Sequence, residues 1–275
     1  MSETVTAAQR VALARSPRRP TTEAFIEALF TDFFELRGDR CYGEDGSILG
    51  GLALFRGRPV TVLAQRKGRS LEENLARNFG MASPEGYRKA LRLMEEAQRF
   101  GRPVITFIDT PGAYPGIGAE ERGQGEAIAR CIAAMSALTV PALAVITGEG
   151  GSGGALALGV GNSLILLENA VYSVLSPEGF AAILWKDSSR SQEAAELMRL
   201  TAGDLLALGV ADAVIPEPEG GMDGGPGDVQ VYQALGEALD RELERFSKMS
   251  GAALARHRYQ KYRRMGTREK RRGSR

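Results

Sequence analysis

The run Gly148–Leu158, G-E-G-G-S-G-G-A-L-A-L, has the residue types and spacing to do chemistry. Val145, Ile146 and Thr147 precede it, and an apolar stretch follows at once, so it reads as strand, glycine turn, helix. Glycines let the chain turn sharply and let another molecule approach bare N–H groups. The first turn of a helix leaves its N–H groups unpaired at the positive end of the dipole. Gly153 and Gly154 are therefore expected to present backbone donors to an anion or a polarised carbonyl. A second glycine loop, Pro111–Gly118, follows the apolar run Pro103–Asp109. Two loops leaving adjacent parallel strands at their carboxyl ends would share one cleft, and two amides converging on one oxygen form an oxyanion hole. Losing one such donor typically costs about 3–4 kcal/mol in the transition state. This chemistry suits an enolate-like or urea-oxyanion species and needs no imidazole, and the chain has a single histidine, His257.

Other readings of the same residues stay open. Gly150–Gly154 satisfies G-x-S-x-G, the nucleophile motif of serine hydrolases, with Ser152 as nucleophile. That reading requires a histidine beside Ser152, and His257 lies in a basic stretch beyond a Gly/Pro-rich loop. Neither G-x-G-x-x-G nor a G-K-[ST] phosphate loop is present. Lys67 and Arg69 sit in the polar segment Gln65–Met81, which reads either as a solvated loop and short helix or as a lobe contacting a phosphate or carboxylate. Glu120 and Glu121 fall where a helix should begin and would complement its positive end.

The chain that must position these groups has 275 residues, 43% hydrophobic and 25% charged, enough for one α/β core. Net charge is +1, with basic character confined to the ends, which argues against a nucleic-acid binder; no reading module is recognisable. Cys41 and Cys131 are far apart, fit a reduced, cytoplasmic protein and supply no zinc site. No signal peptide or membrane span is expected. Residues 1–20 read as a basic arm or short helix, 21–247 as the folded body and 248–275 as a basic tail. Thr22–Leu36 is expected to be a helix with Phe25, Leu29, Phe33 and Leu36 on one face. Leu49–Phe55 and Pro59–Gln65 read as a hairpin around Arg56-Gly57-Arg58. Pro84 starts a helix to Phe100, with Arg88, Lys89, Arg92 and Arg99 on a solvated face. A helix from about Glu120 to Leu138 precedes the strand Pro141–Thr147. Short strands at Ser163–Leu167, Ala170–Leu175 and Val210–Ile215 alternate with helices, and an amphipathic helix spans Val229–Phe246. The tail from Ala252 reads as solvated, docked on an acidic partner or weakly attracted to nucleic acid; as a helix it would place Leu254, Arg258 and Tyr262 on one face. Alternating strands and helices after a hairpin predict a largely parallel sheet.

Six motifs in order give these residues a family resemblance. They are R-N-F-G-M at Arg77–Met81, P-E-G-Y-R-K-A-L-R-L-M at Pro84–Met94, I-T-F-I-D-T-P-G-A-Y-P-G at Ile105–Gly116, G-A-E-E-R-G-Q at Gly118–Gln124, G-E-G-G-S-G-G-A-L-A at Gly148–Ala157 and S-P-E-G at Ser176–Gly179. Together they resemble the carboxyltransferase alpha subunits of bacterial acetyl-coenzyme A carboxylase. The resemblance implies a crotonase-like ββα superhelix with N- and C-terminal helical extensions. It implies transfer of carboxylate from carboxybiotin, presented by biotin carboxyl carrier protein, to the thioester acetyl-coenzyme A, giving malonyl-coenzyme A for fatty-acid synthesis. It also implies an α2β2 assembly with a zinc-ribbon beta subunit, biotin carboxylase in the larger complex, and an active site between the two chain types. By motif, Gly153 and Gly154 would stabilise the oxyanion on the biotin ureido oxygen. Gly112, Ala113, Tyr114, Gly151 and Ser152 would line the cleft, and Lys67 and Arg69 would contact the carboxylate or its neighbours. No metal is expected on this chain, and no activity without the beta subunit. The chain starts close to S-P-R-R-P, so an N-terminal extension of some relatives is expected to be short. Enzymes of the same fold that act as hydratases or isomerases place a carboxylate base in the cleft, for which Glu120, Glu121 and Glu149 are available.

Overall fold

The structure, a computed structural model, describes residues 5–266. Helices α1 (Ala7–Ala14) and α2 (Thr22–Leu29) lead into β1 (Thr31–Glu35), β2 (Ile48–Phe55) and β3 (Arg58–Gln65). The short α3 (Leu71–Ala76) and the long α4 (Pro84–Arg99) precede β4 (Val104–Thr110), α5 (Ile117–Glu121), α6 (Gln124–Ala137), β5 (Ala142–Gly151) and α7 (Ser152–Gly159). Next come β6 (Ser163–Leu167), β7 (Val171–Ser173), α8 (Pro177–Trp185), α9 (Ser191–Met198), α10 (Ala202–Ala207) and β8 (Ala213–Ile215). The described chain closes with α11 (Asp228–Ser247) and α12 (Gly251–Arg264).

One sheet organises the molecule, in the order β1-β2-β3-β4-β5-β6-β8, with β7 added on β5. The first three strands are antiparallel, and from β3 onward every pairing is parallel. β4 is buried along its whole length and β5 to its penultimate residue, which explains their unbroken apolar runs: helices cover both faces. Phe25, Phe107, Leu143, Ile165, Leu239 and their neighbours form one continuous core. Among the described residues no helix is long and apolar enough to cross a membrane.

Four expectations about the framework around the site need correction. The helix expected over 22–36 stops at Leu29, and Thr31–Glu35 form a strand on β2. A four-residue apolar spacing fits alternate strand positions as well as a helix face, and the pairing of Phe34 with Leu52 decides the matter. The helix expected over 120–138 is two helices, broken where Gly123 adopts φ 83. The cationic face of α4 is not solvated except at Arg99. Lys89 is buried and bonded to Glu44 and the Asp45 carbonyl, while Arg88 donates to Asp39 at 2.7 Å and Arg92 to the Gly38 carbonyl at 3.0 Å. The loop 38–47 folds back over the helix and brings acceptors to it.

The fourth concerns the tail. Residues 251–264 form a docked helix, with Leu254 and Arg258 buried as the helical spacing anticipates. Arg258 bonds the Asn162 side chain, Lys261 pairs with Asp212, and Tyr262 Oη donates to the Gly159 carbonyl at 2.9 Å. The acidic and carbonyl partners are thus supplied by the chain's own body; the remainder of the tail lies outside the described residues. At the other end α1 carries a capping box between Thr6 and Gln9. It packs Ala7, Val11 and Ala14 with Val171, Ala195 and Leu200 in a small second cluster.

Candidate active site

The site is built by two strands that stop at different heights. β5 pairs with β6 through Ile146, then runs on and pairs Glu149–Gly151 with Val171–Ser173 of β7. The glycine run is therefore strand as far as Gly151, where a turn from Gly148 was expected. β4 follows β5 through a register shift, so that Thr110 faces Gly150. The 111–116 loop consequently leaves its strand beside the turn into α7.

At that point backbone meets backbone. A Cβ on Gly151 would lie 2.1 Å from the Pro111 carbonyl oxygen. One on Gly154 would lie 2.6 Å from the Gly112 carbonyl carbon and 2.8 Å from the Ala113 nitrogen. No side chain fits at either position, so the two loops sit as close as expected only because both residues are glycine.

Gly151 is the residue before α7, and Ser152 enters the helix with φ 49. Gly153 and Gly154 occupy the second and third helical positions, whose amides have no carbonyl one turn earlier to bond. Among the described residues no loop carbonyl or side chain takes either amide, and α7 has no acidic residue in its first turn. Across the gap, the Gly112 amide donates to Thr110 Oγ1 at 3.1 Å and the Tyr114 amide to the Ala82 carbonyl at 3.1 Å. Ala113, between them and against Gly154, has no such partner among the described residues. Of the three loop residues singled out in the sequence, Ala113 is the one placed to supply a second donor.

Beneath the turn lies a charge network. Lys67 Nζ stands 2.8 Å from Asp109 Oδ1 and 3.0 Å from Glu149 Oε2. Arg15 Nε reaches Glu149 Oε1 at 2.6 Å and its Nη1 reaches Glu178 Oε1 at 2.8 Å, tying α1 and the S-P-E-G turn to β5. The Glu149 amide donates to Asp109 Oδ1 at 3.0 Å. Burial alone would raise the Glu149 pKa, but Lys67 and Arg15 outweigh it and hold the carboxyl below its ordinary value. Burial opposes the Lys67 charge too, yet Asp109 and Glu149 keep its pKa above the ordinary lysine value. Lys67 is thus already matched by two carboxylates. Arg69 goes elsewhere: it is exposed and lines a separate cavity of about 400 Å³ with Arg18, Arg19 and Tyr232. The structure splits the K-G-R pair that the sequence set side by side. Arg15 was missed, because nothing in a basic N-terminal stretch singles out one arginine of several.

The competing readings fare poorly on this geometry. His257 lies on α12 with its ring 5.1 Å from Phe246 and Nδ1 3.4 Å from the Asn162 side chain, beyond the far end of α7 from Ser152. An eight-residue helix, about 12 Å long, lies between Ser152 and the Asn162 turn. No triad forms. Ser152→Ala is expected to leave turnover within about threefold of wild type, since a backbone donor survives the change; collapse of the rate, or labelling of Ser152 by a fluorophosphonate, would restore the hydrolase. Glu149, held ionised between two cations, is poorly suited as a general base near neutral pH, and Glu120 and Glu121 are exposed on α5. Among the described residues no group of three or more His, Cys, Asp or Glu could hold a metal ion.

A family profile described as "Acetyl co-enzyme A carboxylase carboxyltransferase-like" matches residues 1–266. The chain belongs to this family. It is 57% identical over 257 residues to the acetyl-coenzyme A carboxylase carboxyl transferase subunit alpha of Geobacillus kaustophilus, covering 94% of this chain and 78% of that one. To the subunit of the same name from Listeria monocytogenes serotype 4a it is 53% identical over 263 residues, covering 95% and 82%. This is a carboxyltransferase family, so the chain is an enzyme subunit of the transferase class. Among solved structures, transcarboxylase 12S with methylmalonyl-coenzyme A bound superposes with a TM-score of 0.69 at 17% identity, over 100% of this chain and 48% of that one. This chain thus spans about half of that structure's chain. A Pseudomonas malonate decarboxylase hetero-tetramer in complex with coenzyme A gives 0.62 at 23% identity, over 80% and 87%. These likenesses establish the crotonase-like α/β fold.

Proposed function

We propose that this chain supplies the biotin-side half of a carboxyltransferase site that passes carboxylate from carboxybiotin to acetyl-coenzyme A. The observation that carries the reading is the backbone contact of Gly151 and Gly154 with the Pro111–Ala113 loop, which sets the half-buried Gly153 and the buried Gly154 at the start of α7 against that loop. When biotin is presented on its carrier protein, carboxybiotin supplies the activated carboxylate. The residues of this chain then stabilise the negative charge that builds on the ureido oxygen as the C–N bond breaks. Gly153 and Gly154 meet it first, with Ala113 as a neighbouring donor. Gly112, Tyr114, Gly151 and Ser152 shape the wall. Lys67 acts through Glu149 by holding the strand beneath the turn, and Arg69 stands apart from this group. Glu149 is tied up by Lys67 and Arg15, so this chain would offer no side-chain base for the thioester's methyl proton.

A zinc-ribbon beta chain would complete the cleft in an α2β2 assembly that works with biotin carboxylase in the cytoplasm. Two features support a second chain. The crevice that touches Gly151, between Pro111, Glu149 and Pro177, holds only about 20 Å³, far below a cofactor-sized pocket. Apolar Ile117 and Val174 are 79% and 74% exposed on the segments after Gly116 and β7. Co-expression with such a beta chain should yield a stable complex that decarboxylates malonyl-coenzyme A in the presence of free biotin, with each chain inactive alone. A complex that forms but turns over crotonyl-coenzyme A without biotin would replace this reading with a hydratase.

A further inference from the structure

We propose that two buried glutamines, Gln65 and Gln124, are the positioning residues of the candidate oxyanion site, each holding one of its two walls. Gln65 is the last residue of β3 and is fully buried. Its Nε2 donates to the carbonyl of Gly154 at 2.7 Å. Gln124 is the first residue of α6 and is 3% exposed. Its Nε2 donates to the carbonyls of Tyr114 at 2.9 Å and Ala82 at 2.8 Å. The Ala82 carbonyl also accepts the Tyr114 amide, so Gln124 closes a small ring of bonds that pins the 111–116 loop to the residues before α4.

Both walls need an external hold. The α7 side is two glycines behind a residue at φ 49, a backbone with no side chains to wedge it in place. The other side is a loop whose Gly112 amide bonds only two residues back, to Thr110 Oγ1, and whose Ala113 amide has no loop or side-chain partner among the described residues. A donor on the Gly154 carbonyl fixes the orientation of the peptide after the candidate donors, and a donor on the Tyr114 carbonyl fixes the loop that Gly154 touches. The rest of each side chain argues that this is not fold stabilisation. Oε1 of Gln65 and Oε1 of Gln124 are both buried without a hydrogen-bond partner among the described residues. A buried orphan acceptor is a cost. An apolar core at these positions would avoid it, whereas an amide aimed at one carbonyl suits a site that must not drift.

This inference rests on the oxyanion reading above, and the experiment separates the two. In the reconstituted complex with the beta chain, Gln65→Met and Gln124→Met are expected to lower kcat about 10–100-fold, the scale for sub-ångström to 1 Å misplacement. KM for the coenzyme A thioester should stay close to wild type, and the melting temperature should fall by no more than a few degrees, since each variant strips a buried carbonyl of its donor but also removes an orphan acceptor. Gln65→Glu adds a signature that a merely structural role would not give. Protonated, the carboxyl can donate to the Gly154 carbonyl; ionised, it cannot. Its rate should therefore fall as pH rises through an ionisation absent from both wild type and Gln65→Met. Wild-type kcat in Gln65→Met, or a Gln65→Glu profile parallel to wild type, overturns the positioning role while Gly154→Ala remains impaired. Should Gly154→Ala itself be unimpaired, the oxyanion reading falls and takes this inference with it. If Gln65→Met fails to fold, the Gln65→Glu profile decides alone.

Discussion

Gly154→Ala is expected to lower carboxyl transfer by the reconstituted complex about 100–1,000-fold, the range observed when one preorganised oxyanion donor is lost. The single added methyl would sit 2.6 Å from the Gly112 carbonyl carbon and 2.8 Å from the Ala113 nitrogen, both main-chain atoms that no rotamer change can move. The two backbones must part by about 1 Å to reach ordinary contact, and misplacement of that size is enough to account for about 100-fold by itself. Gly153→Ala is the control. Its methyl would meet Ile128 Cγ2 at 3.6 Å, an ordinary contact, and should raise helix stability by up to about 1 kcal/mol. Any loss of rate there comes from an intruded ligand surface and not from the fold. Steady-state rates and thermal unfolding of both variants check the argument. Near-normal turnover in Gly154→Ala with an unchanged melting temperature removes the oxyanion assignment.

The largest effect on stability should come from a residue outside the site. The Arg19 side chain is 3% exposed and the Glu217 side chain is fully buried, with 2.6 Å between Arg19 Nη2 and Glu217 Oε1. Arg19 Nε also donates to the Thr147 carbonyl at 2.6 Å, just before the run-on part of β5. Arg19→Met leaves a buried carboxylate without its cation and should cost about 3–5 kcal/mol at pH 7, read by urea unfolding. Burial works to raise the Glu217 pKa, but Arg19 and Asn169 more than offset it, and the folded-state value lies below the ordinary 4.5. A depressed carboxyl pKa contributes stability that is fully present above the unfolded value and is lost as pH falls through the folded one. In the variant the sign reverses, since an unpaired buried carboxyl has a raised pKa and is destabilised as pH rises. The gap between wild type and Arg19→Met should therefore be widest near neutrality and narrow below about pH 4.5. A gap independent of pH would mean that lost packing, not charge, is the cause.

Sequence alone reached the class of fold, nearly every strand and the glycine-rich entry to α7, because those depend on signals local to a few residues. Glycine before an apolar helix, a β-branched run before glycine and Pro at a helix start carry their meaning at short range. Ordered motifs added the family. What tertiary structure decided involves partners distant along the chain. Thr31–Glu35 is a strand because β2 is there to pair with it, and the face of α4 is buried because residues 38–47 fold over it. Lys67 and Arg69, neighbours in sequence, part because Asp109 and Glu149 capture one of them. Neither the Gly154–Gly112 contact nor the glutamines that hold it follow from periodicity, since each joins main-chain atoms from separate strands. Spacing names the residues able to offer a bare amide; only the register between β4 and β5 determines which amides remain free and what they face.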